Sequence, residues 1–358
     1  MAFVDERSER KMGGYKFPMR ICIVTDTWNQ INGVSTTVKN TTACLINQGH
    51  DVRIIHPGEF FTVPMPGYPE VELSVNIWKV GNKIQEYNPD AIHIATEGPL
   101  GVAARWYCKV TKRNIPHNTS YHTKFPEYIQ EKFRIPVSIT YGILRIFHKF
   151  SHRVLVTNSS MVSELKHRGF SNLVVWSRGV DHKLFSTELR DDQFRKSLGP
   201  GPVVMCVSRV SLEKNLEAFC ELTTPGTLVL VGDGPQRTQL EAKYPNVKFL
   251  GYKTGEELAR YYANADVFVF PSVSDTFGVV MLESISTGTP VAAYPVTGPI
   301  DVIEPGITGY MNDNLQYAME KALLLDRNKV HLASGRWTWN ACTDTFLQNL
   351  ININDQKN

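Results

Sequence analysis

The chain has 358 residues, which is too long for one ordinary hydrophobic core and predicts two domains of normal size. Its hydrophobic content of 42%, charged content of 20% and formal net charge of +3 are those of a globular protein, and so small a charge disfavours a nucleic-acid partner. The sequence contains no apolar run of about eighteen residues, so we expect no transmembrane helix.

Residues 1–18, MAFVDERSERKMGGYKFP, are polar and charged and lack the apolar core of a secretory signal peptide. We therefore expect them to form a disordered leader, with the folded part beginning at Met19. Without a signal peptide, the expected location of the protein is the cytoplasm.

In the first half of the chain, short β-branched runs alternate with segments of helical length. Strands are predicted at 20–26, 51–57, 90–96, 116–122, 152–158 and 172–177, and helices at about 34–48, 98–113, 136–149 and 159–168. Residues 57–70 hold four Pro and two Gly and predict a loop. Apolar strands spaced by helices favour a parallel sheet that is covered on both faces.

The same alternation restarts in the second half. Strands are predicted at 201–209, 226–234, 246–251, 265–272 and 289–295, and helices at about 213–222, 235–244, 255–264, 278–287 and 314–326. The fold class is therefore α/β, with two doubly wound, Rossmann-like domains at 19–178 and 179–335. Residues 336–358 are predicted to form a C-terminal helix and tail that could pack on either domain.

In open α/β sheets, ligands bind beyond the carboxyl ends of the strands. Arg209 and Lys214 follow the first strand of the second domain, near the start of a helix. Cations normally avoid that end of a helix, so their presence predicts an anion between them, although solvent-exposed basic residues are the alternative. Gly232, in VGDGP after the next strand, allows close approach of a ligand to the backbone, and an ordinary tight turn explains it equally well.

The stretch SVSDTFGVVMLES places Asp275 at the predicted start of a helix and Glu283 about two turns along it. An N-cap role explains Asp275, and the free N–H groups near Phe277 and Gly278 predict a site for an anion. A structural role explains Glu283 poorly, because an unpaired carboxylate on an apolar helix is costly. We therefore expect Glu283 to bind a ligand.

The first domain offers two weaker candidates, Gly33 and His122. Gly33 precedes a predicted helix whose N-terminus favours an anion, and His122 ends a strand among polar and aromatic residues. A tight turn and a buried structural histidine are the alternatives. The chain has no G-x-G-x-x-G, P-loop or D-x-D motif, so a dinucleotide, a P-loop nucleotide site and a metal-bridged diphosphate are not predicted.

Several of these segments resemble the family-four retaining glycosyltransferases: SRVSLEKN, VGDGP, FLGY and FVFPSVSDTFGVVMLESISTGTPVAAYPVTGPIDVI, with TEGPLG and TSYHTKFPEY in the first half. The resemblance covers about residues 19–350 and looks like the bacterial branch of GDP-mannose-dependent alpha-mannosyltransferases and glycolipid glycosyltransferases. It implies the GT-B fold, in which two Rossmann-like domains face a cleft and the final helix crosses back to the first domain. The acid–seven–acid motif of the family usually has Glu at both ends, whereas Asp275 holds the first position here.

The same resemblance implies roles for the site residues. Asp275 and the backbone of Phe277 and Gly278 would hold hydroxyls of the transferred sugar, and Glu283 would take the ribose hydroxyls of the nucleotide. A nucleoside diphosphate is a good leaving group once its charge is neutralised, so positioned cations and N–H groups suffice and no metal or other cofactor is required.

Further roles follow from the resemblance for residues outside this stretch. Arg209 and Lys214 would hold the diphosphate, and residues about 249–253, with Gly251 at their centre, would border the base. In the first domain, His122 would contact the sugar and Gly33 would open a loop that faces the diphosphate and the acceptor. The expected donor is GDP-mannose or UDP-glucose, and the expected acceptor is a lipid or a glycan.

Residues 131–153 combine Ile, Leu and Phe with seven Lys, Arg or His. Such a basic amphipathic stretch can lie on an anionic membrane, although a helix with a solvated basic face is the alternative. A peripheral position on the inner face of the plasma membrane is therefore a further expectation. Two other functions stay open from the sequence, a nucleotide-sugar epimerase and a non-catalytic nucleotide-sugar-binding protein.

Overall fold

The computed structural model describes residues 18–30, 32–65, 68–110 and 114–353, so the expected leader lies outside the described residues except for Pro18. The chain divides into two compact units. The first unit contains residues up to Val156, Val162–Trp176 and the residues from Cys342, and the second contains Thr157–Met161 and Ser177–Ala341.

The first unit is built on a six-stranded parallel sheet with the strand order β2-β1-β5-β6-β7-β8. Its strands, with those of a separate hairpin, are β1 (Arg20–Val24), β2 (Asp51–Ile55), β3 (Thr62–Met65), β4 (Tyr68–Ser74), β5 (Ala91–Ile94), β6 (Asn118–Tyr121), β7 (Val154–Val156) and β8 (Leu173–Val175). Its helices are α1 (Gly33–Asn47), α2 (Lys79–Tyr87), α3 (Pro99–Val110), α4 (Phe125–Phe133), α5 (Val137–His148) and the part of α6 (Ser159–His167) from Val162 onward, whereas the start of α6 belongs to the second unit. The central strands are buried because helices cover both faces of the sheet.

The prediction of a loop over residues 57–70 is wrong. β3 and β4 pair there as an antiparallel hairpin, after a 3₁₀ turn at Pro57–Glu59. The register shifts between Pro64 and Met65. Proline lacks the N–H that a central strand would need, but a two-stranded hairpin has open edges where proline is tolerated.

The second unit carries another six-stranded parallel sheet, with the order β11-β10-β9-β12-β13-β14. The strands are β9 (Val203–Val207), β10 (Thr227–Val231), β11 (Val247–Phe249), β12 (Val267–Phe270), β13 (Val291–Ala293) and β14 (Gly309–Met311). The helices are α7 (Asp192–Leu198), α8 (Leu216–Cys220), α9 (Arg237–Lys243), α10 (Gly255–Asn264), α11 (Val279–Ser286), α12 (Pro299–Val302), α13 (Leu315–Ala322) and α14 (Arg327–Ala333). The α/β class with two Rossmann-like sheets is confirmed.

One predicted helix of this unit is broken. Residues 213–222 form a 3₁₀ turn at Leu212–Lys214 and then the short α8, because Asn215 between them has a φ of 52°. Asparagine adopts this left-handed conformation more readily than most residues. The break leaves Lys214 at the end of the 3₁₀ turn after β9 instead of inside an α-helix.

The final helix, α15 (Trp339–Asn349), supplies residues to the first unit from Cys342 onward. The indole N–H of Trp176 donates to the carbonyl of Cys342 at 3.1 Å, and Phe346 packs against the Trp176 and His93 rings at 5.1 and 4.8 Å. His93 shares a 2.7 Å hydrogen bond with Ser120. Burial lowers the pKa of His93 to about 3, so the ring is a neutral member of this aromatic core.

Candidate active site

Five of the residues that are predicted to bind a ligand lie just beyond the carboxyl ends of strands in the second unit. Arg209 and Lys214 follow β9, Gly232 follows β10, Gly251 follows β11, and Asp275 follows β12. Because these strands are parallel, their carboxyl ends meet at the same edge, where α/β folds bind ligands. Arg209 is exposed there, and the other four side chains or backbones are partly or fully buried.

The loops after β9 and β12 are tied together. Lys214 Nζ donates to Asp275 Oδ1 at 2.7 Å, and the two side chains are 20% and 23% exposed. Two further bonds brace the loops: Ser274 Oγ donates to the Glu213 carbonyl and Asn215 Nδ2 to the Pro271 carbonyl, each at 3.1 Å. Lys214, which is predicted to bind a diphosphate, thus forms an ion pair with Asp275, which is predicted to bind a sugar.

The prediction that Asp275 caps a helix is wrong. α11 begins at Val279, its N-cap residue is Gly278 with a φ of 85°, and no side chain caps it. Phe277 is buried and packs edge-on against Trp337 at 5.8 Å, which anchors the residue before the helix. A Cβ at Gly278 would lie 2.9 Å from the Phe270 ring, so both the space and the backbone conformation require glycine. Asp275 is therefore a loop residue whose carboxylate faces Lys214.

The backbone between Asp275 and α11 presents hydrogen-bond donors. Within the described residues, the N–H groups of Phe277 and Gly278 donate to no acceptor. They stand at the N-terminus of the eight-residue α11, where the helix dipole is positive. The arrangement can accept an anionic or hydroxyl-bearing ligand.

Glu283 lies two turns further, on α11, and is half-buried among apolar neighbours. Burial raises the pKa of its carboxyl to about 7, and the nearby Tyr262 hydroxyl partly offsets this shift. That hydroxyl is itself buried and makes no hydrogen bond of normal geometry. Glu283 is therefore a carboxyl that would be stabilised as an anion by added hydrogen-bond donors.

The glycines at 232 and 251 are explained by packing of the backbone. Gly232 has a φ of 141°, and a Cβ there would lie 1.8 Å from the Ser208 carbonyl oxygen. Its N–H donates to the Gly251 carbonyl at 2.8 Å. Gly251 has a φ of 71°, with the Arg237 guanidinium 3.0 Å from where its Cβ would be. Both residues shape this edge, whatever ligand it takes.

The two candidates of the first unit differ in their setting. Gly33 is the first residue of α1, and Asn32 caps this helix by accepting from the Ser35 N–H at 2.9 Å. His122 follows β6, is 6% exposed and lies 5.7 Å from the Trp176 ring. The structure thus makes His122 a buried residue at a strand end.

Sequence reasoning missed Asp26, at the carboxyl end of β1. Its buried carboxylate accepts from the Leu100 N–H at 2.9 Å and from the Thr96 hydroxyl at 2.7 Å, which caps the start of α3. Burial raises the pKa of Asp26. The TEGPLG segment explains why glycine is needed nearby, because a Cβ at Gly98 would lie 2.5 Å from this carboxyl. The signal available in the sequence was an acid at the carboxyl end of the predicted strand 20–26.

Two protein-family models match long parts of this chain. The family model for glycosyltransferase family 4 matches residues 31–184, and that for glycosyl transferases group 1 matches residues 201–325. The GDP-mannose-dependent alpha-mannosyltransferase of Corynebacterium glutamicum is 30% identical over 371 residues, which cover 94% of this chain and 89% of that protein. The chain is a family-four glycosyltransferase.

This glycosyltransferase is also similar to a second sequence relative and to a solved structure. It is 27% identical to the alpha-monoglucosyldiacylglycerol synthase of Streptococcus pneumoniae, across 77% of this chain and 71% of that protein. The crystal structure of HepE from Anabaena in complex with UDP and glucose matches with a TM-score of 0.70 at 17% identity, over 92% of this chain and 98% of that one. The predicted GT-B fold and the predicted family are confirmed.

Proposed function

We propose that this glycosyltransferase moves a hexose, with retention of configuration, from GDP-mannose or UDP-glucose to a hydroxyl of a lipid or glycan. The proposal is supported by one sheet edge that holds the Lys214–Asp275 pair and the N–H groups of Phe277 and Gly278, with Glu283 further along the helix that begins there. GDP-mannose is the favoured donor, because the similar Corynebacterium protein is a GDP-mannose-dependent mannosyltransferase.

The diphosphate is proposed to bind at Arg209 and Lys214. A negative phosphate competes with Asp275 for the Lys214 ammonium, since both are anions within reach of one flexible side chain. The carboxylate of Asp275 can then accept hydrogen bonds from sugar hydroxyls, together with the N–H groups of Phe277 and Gly278 as donors. The Lys214–Asp275 ion pair would in this way be exchanged for two ligand contacts.

The nucleotide is proposed to place its ribose at Glu283. A carboxylate can accept from both ribose hydroxyls, and such charge-assisted hydrogen bonds are stronger than neutral ones. They would stabilise the anionic form that burial disfavours. Gly232 and Gly251 would border the nucleotide, while the roles of Gly33 and His122 stay predictions for the first unit.

In the proposed reaction the bond between the sugar C1 and the diphosphate oxygen breaks, and a bond from C1 to the acceptor oxygen forms on the same face. The acceptor proton passes to the departing diphosphate oxygen, so the step needs no general acid from the protein. The cations Arg209 and Lys214 would stabilise the charge that develops on the leaving group. Metal independence is part of the proposal, because the cations Arg209 and Lys214 would neutralise the leaving diphosphate without a metal ion.

A lipid acceptor is proposed from an apolar and basic surface of the first unit. We define the α3–α5 surface as the exposed apolar residues Val102, Trp106, Ile139, Ile143, Ile146 and Phe150 with the cations Arg105, Lys109 and Lys149. The four on and after α5 recur at helical spacing, opposite the buried Tyr141, Leu144 and Phe147. The three cations lie 4.4–5.8 Å from the centre of the Phe150 ring.

This surface suits contact with an anionic membrane, because apolar side chains would enter the acyl boundary while cations meet headgroups. The predicted stretch 131–153 is not one helix: α4 ends at Phe133, Arg134 is left-handed, and α5 begins at Val137. Among the helices that the structure describes, none has both the length and the apolar character to cross a bilayer. The streptococcal relative is a diacylglycerol-modifying synthase by name, which supports a lipid acceptor here.

The proposal is tested with a donor panel on the full chain: GDP-mannose, GDP-glucose, UDP-glucose and UDP-galactose, each with lipid and glycan acceptors, with and without EDTA. We expect transfer from one donor, an α-linked product by NMR, and no effect of EDTA. Glu283→Ala should abolish most transfer. Epimerised donor formed without acceptor would instead identify an epimerase, and binding without turnover of any donor would identify a binding protein.

A further inference from the structure

The peptide group between Thr276 and Phe277 is clamped by two side chains. The Thr276 carbonyl oxygen accepts from Asn158 Nδ2 at 2.6 Å and from Thr157 Oγ1 at 3.3 Å. Asn158 and Thr157 are only 3% and 2% exposed, and both belong to the second unit with the loop they contact. These bonds connect residues 118 and 119 positions apart in sequence.

The amide of Asn158 is fixed at both ends. Its Oδ1 accepts from the Met161 N–H at 2.9 Å, which caps the start of α6, and its Nδ2 donates to Thr276. The Ser160 N–H also donates to Asp301 Oδ1 at 3.3 Å, which ties the start of α6 to α12. Asn158 therefore has little freedom to rotate away from the Thr276 carbonyl.

The loop is confined from a second direction by Gly298. A Cβ at Gly298 would lie 3.0 Å from the Phe277 carbonyl oxygen and 3.2 Å from that of Asp275. Two carbonyls of the loop thus lie close to Gly298, whereas the carbonyl between them binds Asn158. The hydrogen bonds to the Thr276 carbonyl and the close packing against Gly298 together restrict the peptide planes of residues 275–278.

In a trans peptide the N–H points away from the carbonyl of the same plane, because the group is planar. Holding the Thr276 carbonyl therefore fixes the direction of the Phe277 N–H. Donation to the carbonyl also polarises the peptide and strengthens that N–H as a donor. The Phe277 N–H is one of the donors without an acceptor in the described residues.

We infer that Asn158 is a positioning residue for the transferred sugar, which it serves by aiming the Phe277 N–H at a sugar hydroxyl. The inference rests on the proposed function, since it takes a nucleotide sugar as the ligand. Asn158 contacts no ligand itself. Its effect reaches the donor through the orientation and polarity of one peptide group.

The test is Asn158→Asp in the full chain. Aspartate keeps an oxygen that can cap α6 but places a second oxygen against the Thr276 carbonyl, so the peptide group is repelled instead of held. We expect kcat/KM for the nucleotide sugar to fall about 10- to 100-fold, the range below that of a lost oxyanion-hole donor. The Kd of the free nucleoside diphosphate should stay unchanged, because that ligand lacks the transferred hexose whose hydroxyl would meet the Phe277 N–H.

Two further variants separate the loss of the contact with Thr276 from a general loss of folding stability. Asn158→Ser keeps a capping oxygen but is too short to reach Thr276, so it should show the same loss with a Tm close to that of the wild type. Thr157→Val removes only the longer bond and should cost less. The inference is overturned if Asn158→Asp and Asn158→Ser keep the wild-type kcat/KM, or if they weaken the nucleoside diphosphate as much as the nucleotide sugar.

The role of Asn158 and the proposed glycosyl transfer are contradicted by different results. Transfer by the wild type with unaffected Asn158 variants overturns the inference and leaves the proposed function standing. Absence of transfer by the wild type with every donor and acceptor overturns both.

Discussion

Glu283 is the residue whose chemistry the fold changes most at the candidate site. Its pKa is raised to about 7 from an ordinary 4.5, because α11 buries the carboxyl among apolar side chains. The folded pKa lies above the unfolded one, so the folded state favours the neutral acid. The associated stability is fully present below about pH 4.5 and is lost as the pH rises through 7.

Glu283→Gln should remove this pH dependence. Glutamine keeps the size and a neutral polar group, so between pH 5 and pH 8 the wild type should lose on the order of 2 kcal/mol of unfolding free energy relative to the variant. Urea unfolding of both proteins at pH 5, 6, 7 and 8 measures the difference. A difference that stays constant with pH would mean that Glu283 is not a buried titrating group.

Saturating nucleoside diphosphate should also reduce the loss of stability between pH 5 and pH 8, if the ribose binds to Glu283 as proposed. Hydrogen bonds from the ribose hydroxyls favour the carboxylate, which lowers the pKa of Glu283 in the complex. The stability lost between pH 5 and pH 8 should then be smaller with ligand than without it.

At the scale of elements, the loop between β12 and α11 depends on a neighbouring helix start. Gly298 precedes α12 with a φ of 97° and leaves space for two loop carbonyls. The short α12 and the start of α6 are therefore supports of the candidate site, although neither carries a predicted ligand contact.

Gly298→Ala should impair activity beyond its effect on stability. The added Cβ would press on the Phe277 and Asp275 carbonyls and turn the peptide groups between them, so we expect kcat/KM to fall about tenfold or more. Gly306→Ala is the control, because Gly306 also has a positive φ, of 78°, but no atom within 4 Å of the added Cβ. Both variants should lose about 1 kcal/mol of stability from backbone strain. Equal activity in the two would contradict a supporting role for Gly298.

Much of this architecture follows from local sequence patterns. Apolar β-branched runs separated by helical segments indicate parallel sheets, and the rule for strand ends brings Arg209, Lys214 and Asp275 to one edge. The pairing of Lys214 with Asp275 was not predictable in the same way. It joins residues 61 positions apart and depends on β12 lying beside β9.

The features that the sequence did not predict also have specific physical causes. The start of α11 is set by the positive φ of Gly278 and by the burial of Phe277, neither of which a capping pattern contains. The hairpin of β3 and β4 was hidden by its prolines, which mark turns in most contexts. The proposed role of Asn158 could not be predicted from the sequence, because it depends on a contact with Thr276, 118 positions further along the chain.

At the scale of the whole molecule, the small net charge of +3 hides an uneven surface. The α3–α5 surface gathers cations around Phe150 beside exposed Trp106 and Ile146, which are 64% and 63% exposed. Apolar groups of this size remain in contact with water unless something covers them. The proposed contact with an anionic membrane would cover the apolar side chains and neutralise the cations.

Ile146→Glu should weaken binding to vesicles that contain phosphatidylglycerol. The substitution replaces apolar area worth about 1.5–3 kcal/mol when buried and adds a charge that anionic lipids repel, so we expect at least a tenfold loss in a flotation assay. Leu332→Glu is the matched control, because Leu332 is 76% exposed on α14 of the second unit. Membrane contact through this surface is ruled out if both variants float like the wild type, or if the control is lost as well.

The place of α15 in the chain has a consequence for biosynthesis. The aromatic core of the first unit includes Phe346, yet the ribosome makes this residue after the whole of Ser177–Ala341. During translation the second unit can therefore complete its sheet while the first still leaves Trp176 and His93 uncovered. Domains commonly fold in the order of synthesis, and exposed apolar surface at this stage invites aggregation. The nascent first unit is thus the part of the protein that would most need a chaperone.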